Sequence, residues 1–189
     1  SYRLYPDYSG GRSGTYGSGA VRTDMGASEG YVLNWLDNSL QGRMTRKEEN
    51  NMTEKVQFKH CFVCGPENPI GLHVPIEEGD KKAWCRWTAG EDFAGYTNVL
   101  HGGIMASIMD DLMAHATYSL GIEVVTAHLE MDYKSPAYIG DELDCEAHVT
   151  DVGKGRSMRL EGTIYCGDRL VAQARSVMVV VAHFGEDKK

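Results

Sequence analysis

The stretch Gly103 to Leu120, GIMASIMDDLMAHATYSL, decides how the rest of the chain is read. Ile104, Met105, Ile108, Met109, Leu112, Met113, Ala114 and Ala116 cover most of a helical circumference instead of one stripe, the pattern of a helix buried by its surroundings. Gly102 and Gly103 stand at its start, and Gly121 is the expected stop. On its C-terminal side the sequence turns to β-prone runs: Val124 to Tyr133, Glu142 to Asp151, Arg156 to Cys166 and Leu170 to Ala182. The second alternates Leu143, Cys145, Ala147 and Val149 with Glu142, Asp144, Glu146 and His148, as a half-buried antiparallel strand does. Cys166-Gly167-Asp168-Arg169 reads as the turn between the last two. On the N-terminal side, GLHVPIEEG and KKAWCRWTA from Gly71 form a hairpin with a turn centred on Glu78, Gly79 and Asp80, followed by a loop containing Gly90, Gly95 and Asn98. One helix followed by meandering strands predicts an α+β domain in which an antiparallel sheet wraps the helix; the absence of βαβ alternation argues against a doubly wound fold.

Composition sets the limits around this unit. The chain has 189 residues and a net charge of -8, from 19 basic and 27 acidic side chains, so it lacks the electrostatic footprint of a nucleic-acid or anionic-membrane binder. The surplus is unevenly placed: residues 1–51 are balanced, and 52–189 carry all of it. The first thirty residues hold seven Gly, five Ser and scattered Tyr, a composition that buries little apolar area. Residues 1–51 therefore read as an extension, with a short helix expected over Ser28 to Leu40, a polar linker at Thr45 to Asn51 and a natural start at Met52. Residues 52–189 are of ordinary domain size. No run of 18 apolar residues and no secretory pattern occur, and five cysteines at irregular spacing argue for reduced thiols; the expected location is the cytoplasm.

Among candidate sites, Asn98 to Asp111 is the most informative. Two glycines before a helix let backbone approach a ligand, and the free N–H groups of the first turn polarise an oxyanion or carbonyl. Asp110 shares a face with Ala106, Ser107, Met113 and Ala114, which leaves room for a small molecule beside its carboxylate. Carboxylates in an apolar helix are costly unless paired or functional. The bland alternative is that the glycines ease packing and the aspartates are solvated or paired, Asp111 with His115 at i, i+4. Cys61-Phe62-Val63-Cys64 is a single CxxC; His60 and His73 lie near, but no second CxxC exists, so thiols packed under a loop are preferred to zinc ligands and no metal is expected. Gly153 to Ser157 is a basic turn in an acidic domain, either a hold on phosphate or a solvated hairpin loop.

Four motifs in order carry a resemblance: CFVCGPENPIGLHV at 61–74, LHGGIMASIMDDLM at 100–113, VTAHLEMDYKSPAYIGDELDCEAHV at 125–149 and GKGRSMRLEGTIYCGDRLVAQARSVMVVV at 153–181. Together, over roughly two thirds of the chain, they resemble the hot-dog-fold acyl-CoA thioesterases of the PaaI-like type, within the 4-hydroxybenzoyl-CoA thioesterase-like superfamily. The resemblance implies the hot-dog fold and hydrolysis of an acyl-CoA to acid and coenzyme A, with no cofactor besides the coenzyme A of the substrate. It implies Asp110, nine residues after the motif histidine, as the acid that activates water or attacks the thioester. It further implies Gly102, helped by Gly103, as the carbonyl-polarising backbone, His101 as the residue ordering the loop, and Thr126 as the hydroxyl that positions water. Lys154, Gly155 and Arg156 would hold the pantetheine and nucleotide. A homodimer, commonly a tetramer of two dimers, with the site across subunits is also implied. Gly95 stands where such enzymes often carry Asn, and residues 1–51 have no counterpart. The alternative functions are a non-catalytic acyl-CoA-binding sensor or scaffold, and an acyl-carrier-protein substrate, which the acidic surface disfavours.

Overall fold

A computed structural model describes residues 58–153 and 155–183. The extension at 1–51, its expected helix and Lys154 lie outside the described residues. The elements run β1 (Ile76–Gly79), β2 (Lys82–Thr88), a 3-10 turn (Glu91–Phe93), β3 (Ala94–Tyr96), β4 (Val99–Leu100), α1 (Gly102–His115), a second 3-10 turn (Tyr118–Leu120), β5 (Ile122–Tyr133), β6 (Glu142–Val152), β7 (Ser157–Cys166) and β8 (Arg169–His183). Six strands form one antiparallel sheet in the order β1-β2-β6-β7-β8-β5, with β3 and β4 as a separate small pair. The sheet wraps α1, which touches β1, β2, β5, β6, β7 and β8. This is the expected α+β arrangement.

The core is the underside of that wrap. Ile108, Met109, Leu112 and Met113 of α1 are fully buried with Leu143 of β6 and Ile164 of β7. Strand β6 keeps the expected alternation, with Leu143, Cys145 and Ala147 inward. Helix and sheet meet closely at Gly162, where an added Cβ would stand 2.6 Å from Met109 Sδ and 2.9 Å from Glu146 O. A glycine in a strand interior is otherwise a weakness, and close approach is its reason here.

Three boundaries differ from the sequence expectation. The helix ends at His115 instead of Leu120, because the buried Thr117 hydroxyl lies 2.8 Å from Ala114 O and 3.1 Å from Ile122 O and turns the chain through a 3-10 segment. Gly121, at φ 67°, still closes that segment in the left-handed conformation. The first hairpin turns at Asp80-Lys81, with Gly79 paired to Lys82, and its first strand begins only at Ile76, after His73 at φ 51° and Pro75. The loop before α1 contains the short β3-β4 pair.

Candidate active site and a neighbouring thiol cluster

Two glycines and a histidine shape the start of α1. His101 is the N-cap, in extended backbone, and its ring Nδ1 accepts the Gly103 N–H at 2.9 Å. That bond engages one of the helix's first donors, so Gly103 does not present its N–H to a ligand; among the described residues Gly102 N–H has no such partner. Tyr133 at the end of β5 donates its hydroxyl to Gly102 O at 2.8 Å and pins the loop. Burial pushes the Tyr133 phenol above its ordinary pKa, so it stays a donor through neutral pH. A cleft of about 470 Å³ opens beside this turn, lined in part by Gly95, Leu100, His101, Gly102, Met105 and Tyr133. A Cβ on Gly95 would come within 3.1 Å of His101 Cδ2 and 3.2 Å of its Cα, so with the ring in this place a side chain at position 95 is crowded out.

Two turns along the helix, half-buried Asp110 receives a hydrogen bond of 2.6 Å from the Thr126 hydroxyl of β5. The strand achieves this by a bulge. Thr126 pairs with Met178 and His128 with Val177, so one extra residue, Ala127, sits between them. Before the bulge Val124 and Thr126 face the helix side; after it Leu129 and Met131 pack on the core, while His128 and Glu130 join Arg159 and Arg175 on the outer face. Without the shift Thr126 and His128 would share a face.

Register places the start of β7 near the same level. Thr126 of β5 pairs with Met178 of β8, which pairs with Met158 of β7, two residues after Arg156. Two strand spacings are about 10 Å. Arg156 is exposed, and its Nε donates to Val180 O at 3.2 Å, while a Cβ at Gly155 would meet nothing within 4 Å.

Asp111, one residue on, meets another set of groups. Its Oδ1 and Oδ2 lie 3.5 and 3.6 Å from Cys61 Sγ, and His115 Nε2 is 3.8 Å from Oδ2 and 3.5 Å from Cys64 Sγ. Cys61, Cys64 and Asp111 hold their ligating atoms within 4.8 Å of one another. Burial, followed by the Asp111 hydrogen bond, pushes the Cys64 thiol far above its ordinary pKa. His115 Nδ1 is 2.8 Å from Glu78 Oε1; a carboxylate only accepts, so Nδ1 carries the proton. Sequence reasoning treated the CxxC and the Asp111–His115 pair separately, and the fold puts them together. All five cysteines are free thiols.

Thus the structure brings Asp110 to Thr126, and His101 to Gly102 and Gly103, but the two groups lie at different points on one helix. Tyr133 was not anticipated; its signal was an aromatic hydroxyl closing a strand. Among the described residues no helix is long and apolar enough to cross a membrane.

Comparison with known proteins agrees with this geometry. Residues 97–173 match the model of the Thioesterase superfamily. The chain is 28% identical to mouse acyl-coenzyme A thioesterase 13 over 124 residues, covering 64% of this chain and 86% of that protein. Rat acyl-coenzyme A thioesterase THEM4 is 24% identical over 137 residues, 71% of this chain but only 57% of the relative's length. Among solved structures, the PaaI protein of E. coli from the phenylacetic acid degradation operon superposes with a TM-score of 0.56 at 23% identity, over 60% of this chain and 83% of its own. With the wrapped helix, the His-Gly-Gly start and the Asp110–Thr126 pair in place, the chain has the hot-dog fold, and its residues 97–173 are similar to the thioesterase superfamily.

Proposed function

We propose that the protein hydrolyses an acyl-CoA thioester to the free carboxylic acid and coenzyme A, with Asp110 as the catalytic acid residue. The observation that carries this reading is the 2.6 Å hydrogen bond from Thr126 to Asp110, which fixes a carboxylate on an otherwise apolar helix in one orientation. Asp110 takes a proton from water as the water oxygen bonds to the carbonyl carbon. The tetrahedral oxyanion is held by the Gly102 N–H at the helix start, and its collapse expels the coenzyme A thiolate. Direct attack by the Asp110 carboxylate on the carbonyl uses the same groups.

One chain does not supply both halves. Gly102 and Asp110 are eight residues apart on one helix, about 12 Å along its axis, too far to act on a single carbonyl. The acid of one subunit therefore works opposite the His101-Gly102 turn of another. Strand β5, which presents Thr126, is twelve residues long and forms the sheet edge, a surface that favours pairing with a second copy. Exposed Tyr96, Tyr133 and Val125 add apolar area around the cleft and the edge. Tetramers would pair two such dimers. Lys154, Gly155 and Arg156 bind the phosphorylated part of coenzyme A; the register that sets Thr126 across from Met158, two residues after Arg156, supports this, and the reduced thiols suit the cytoplasm.

The test is thiol release from a panel of short, medium, aromatic and long acyl-CoAs, with solution mass measured in parallel. Turnover by a species of at least two chains is expected. Binding without turnover on every substrate would replace the enzyme by an acyl-CoA sensor, and a fully active monomer would overturn the shared site.

A further inference from the structure

We propose that Cys61, Cys64, Asp111 and His115 form a structural zinc site that ties the loop before β1 to the C-terminal end of α1. The donors come in two pairs of ligand spacing: a CxxC on a tight turn, and an acid and an imidazole one helical turn apart on a single face. Zinc bonds of about 2.3 Å to sulfur and about 2.0 Å to nitrogen or oxygen make tetrahedral edges of about 3.5 Å between a sulfur and a lighter donor. Cys61 Sγ to Asp111 Oδ1 and Cys64 Sγ to His115 Nε2 are both 3.5 Å. Cys61, Cys64 and Asp111 already hold their ligand atoms within 4.8 Å of one another; His115 Nε2, 3.8 Å from Asp111 and 3.5 Å from Cys64, stands outside that group and turns in toward Cys61 to complete the tetrahedron.

The surroundings are those of a metal site as well. Glu78 holds the Nδ1 proton of His115, which leaves the Nε2 lone pair on the side of Cys64 and Asp111, the carboxylate–histidine arrangement that orients a metal ligand. The Val63 N–H donates to Cys61 Sγ at 3.3 Å and fixes the direction of that sulfur. The knuckle requires Gly65, where a Cβ would lie 2.4 Å from Cys61 N. Phe58 and Tyr118 rings cover the His115 imidazole, 5.2 and 4.9 Å away, and keep water from its flank. Two thiolates and an imidazole select zinc over magnesium or calcium. Four protein ligands leave no open position, so the ion is structural and takes no part in thioester chemistry. On binding, both thiols release their protons to solvent.

The test uses the full chain, purified in reductant without a metal-affinity step. Elemental analysis should find about one zinc per chain. Exchange into cobalt should give a thiolate-to-cobalt charge-transfer band with the intense visible bands of a tetrahedral site. Cys61→Ser and His115→Gln should lose zinc, and Cys166→Ser, outside the cluster, should keep it. The cobalt spectrum of the parent needs no variant to fold. Zinc below about a tenth of an equivalent with no charge-transfer band after cobalt addition overturns the proposal. So does recovery of Cys61 and Cys64 as a disulfide from protein kept in reductant. Metal content is read without substrate, so its outcome is independent of whether the chain is a hydrolase.

Discussion

Asp110 and Asp111 leave α1 about 100° apart, and everything that meets them differs. Asp110 points to the β5 edge, takes one short hydrogen bond from Thr126 and lies on the side where a second subunit can reach it. Asp111 points under the N-terminal loop, is 16% exposed, and is enclosed by two thiols and an imidazole. A carboxylate with one fixed partner and an open side can exchange protons with substrate and water. A carboxylate ringed by soft donors can hold a cation. The two side chains are chemically identical and adjacent, so the roles proposed for them rest on burial and partners alone.

That division is broken most directly by exchanging charge for amide at each acid in turn. Asp110→Asn should lower thiol release from acyl-CoA by about 10²- to 10⁴-fold, the range for loss of a general base, with the melting temperature unchanged because the amide oxygen still accepts from Thr126. Asp111→Asn should do the reverse, leaving the chemistry close to the parent's at saturating zinc while the chain retains metal poorly. An inactive Asp111→Asn beside an active Asp110→Asn would invert the assignment. Thr126→Val is the next effect in size. It removes the hydroxyl that holds the Asp110 carboxylate in one orientation at 2.6 Å, and misplacement of a reacting group costs up to about 100-fold, so kcat should fall by about 10- to 100-fold.

Much of this was visible in the chain before any coordinates. The all-round apolar pattern of Ile104 to Met113 and the alternation of Leu143 to Val149 specify a wrapped helix and a half-buried sheet, because each is a local period. The choice of Asp110 over Asp111 came from the family resemblance and not from any local period. What stayed hidden depends on contacts across long separations. Cys61 and Asp111 are fifty residues apart, and no local pattern announces that the loop folds over the helix end. The available signal was Asp-x-x-x-His on a helix, a ligand-pair spacing that the CxxC could have completed. The bulge at Ala127 was equally silent, since VVTAHLEM fits either phase of alternation around Thr126. The helix end was misplaced because Thr117 acts through a bond to Ile122, beyond the segment whose periodicity was being read.

Glu78 sharpens the contrast from outside the cluster. Its carboxylate touches His115 and none of the reacting groups placed at Asp110. Glu78→Gln keeps the shape and an acceptor oxygen but removes the charge that strengthens the imidazole as a donor. Loss of such a partner costs about 10- to 100-fold in metal affinity. A competition titration against a chromophoric chelator reads this directly, and kcat at saturating zinc should stay near the parent value. An equal fall in kcat would mean that the two ends of the helix are coupled.

The smallest effect belongs to the other end of α1, where no metal is involved. His101 caps the helix by accepting the Gly103 N–H at 2.9 Å, and its ring fills the space that Gly95 leaves. His101→Ala frees a donor at the helix start and should cost about 1 kcal/mol, seen as a lower denaturation midpoint. His101→Asn restores a good cap and should recover most of that loss. If His101 only orders the turn, turnover follows stability and Asn rescues both. If the imidazole also meets the substrate in the cleft, Asn rescues the midpoint while KM for acyl-CoA stays raised. Zinc content should be the same in all three proteins, because the N-cap and the thiol cluster share a helix but no side-chain contact.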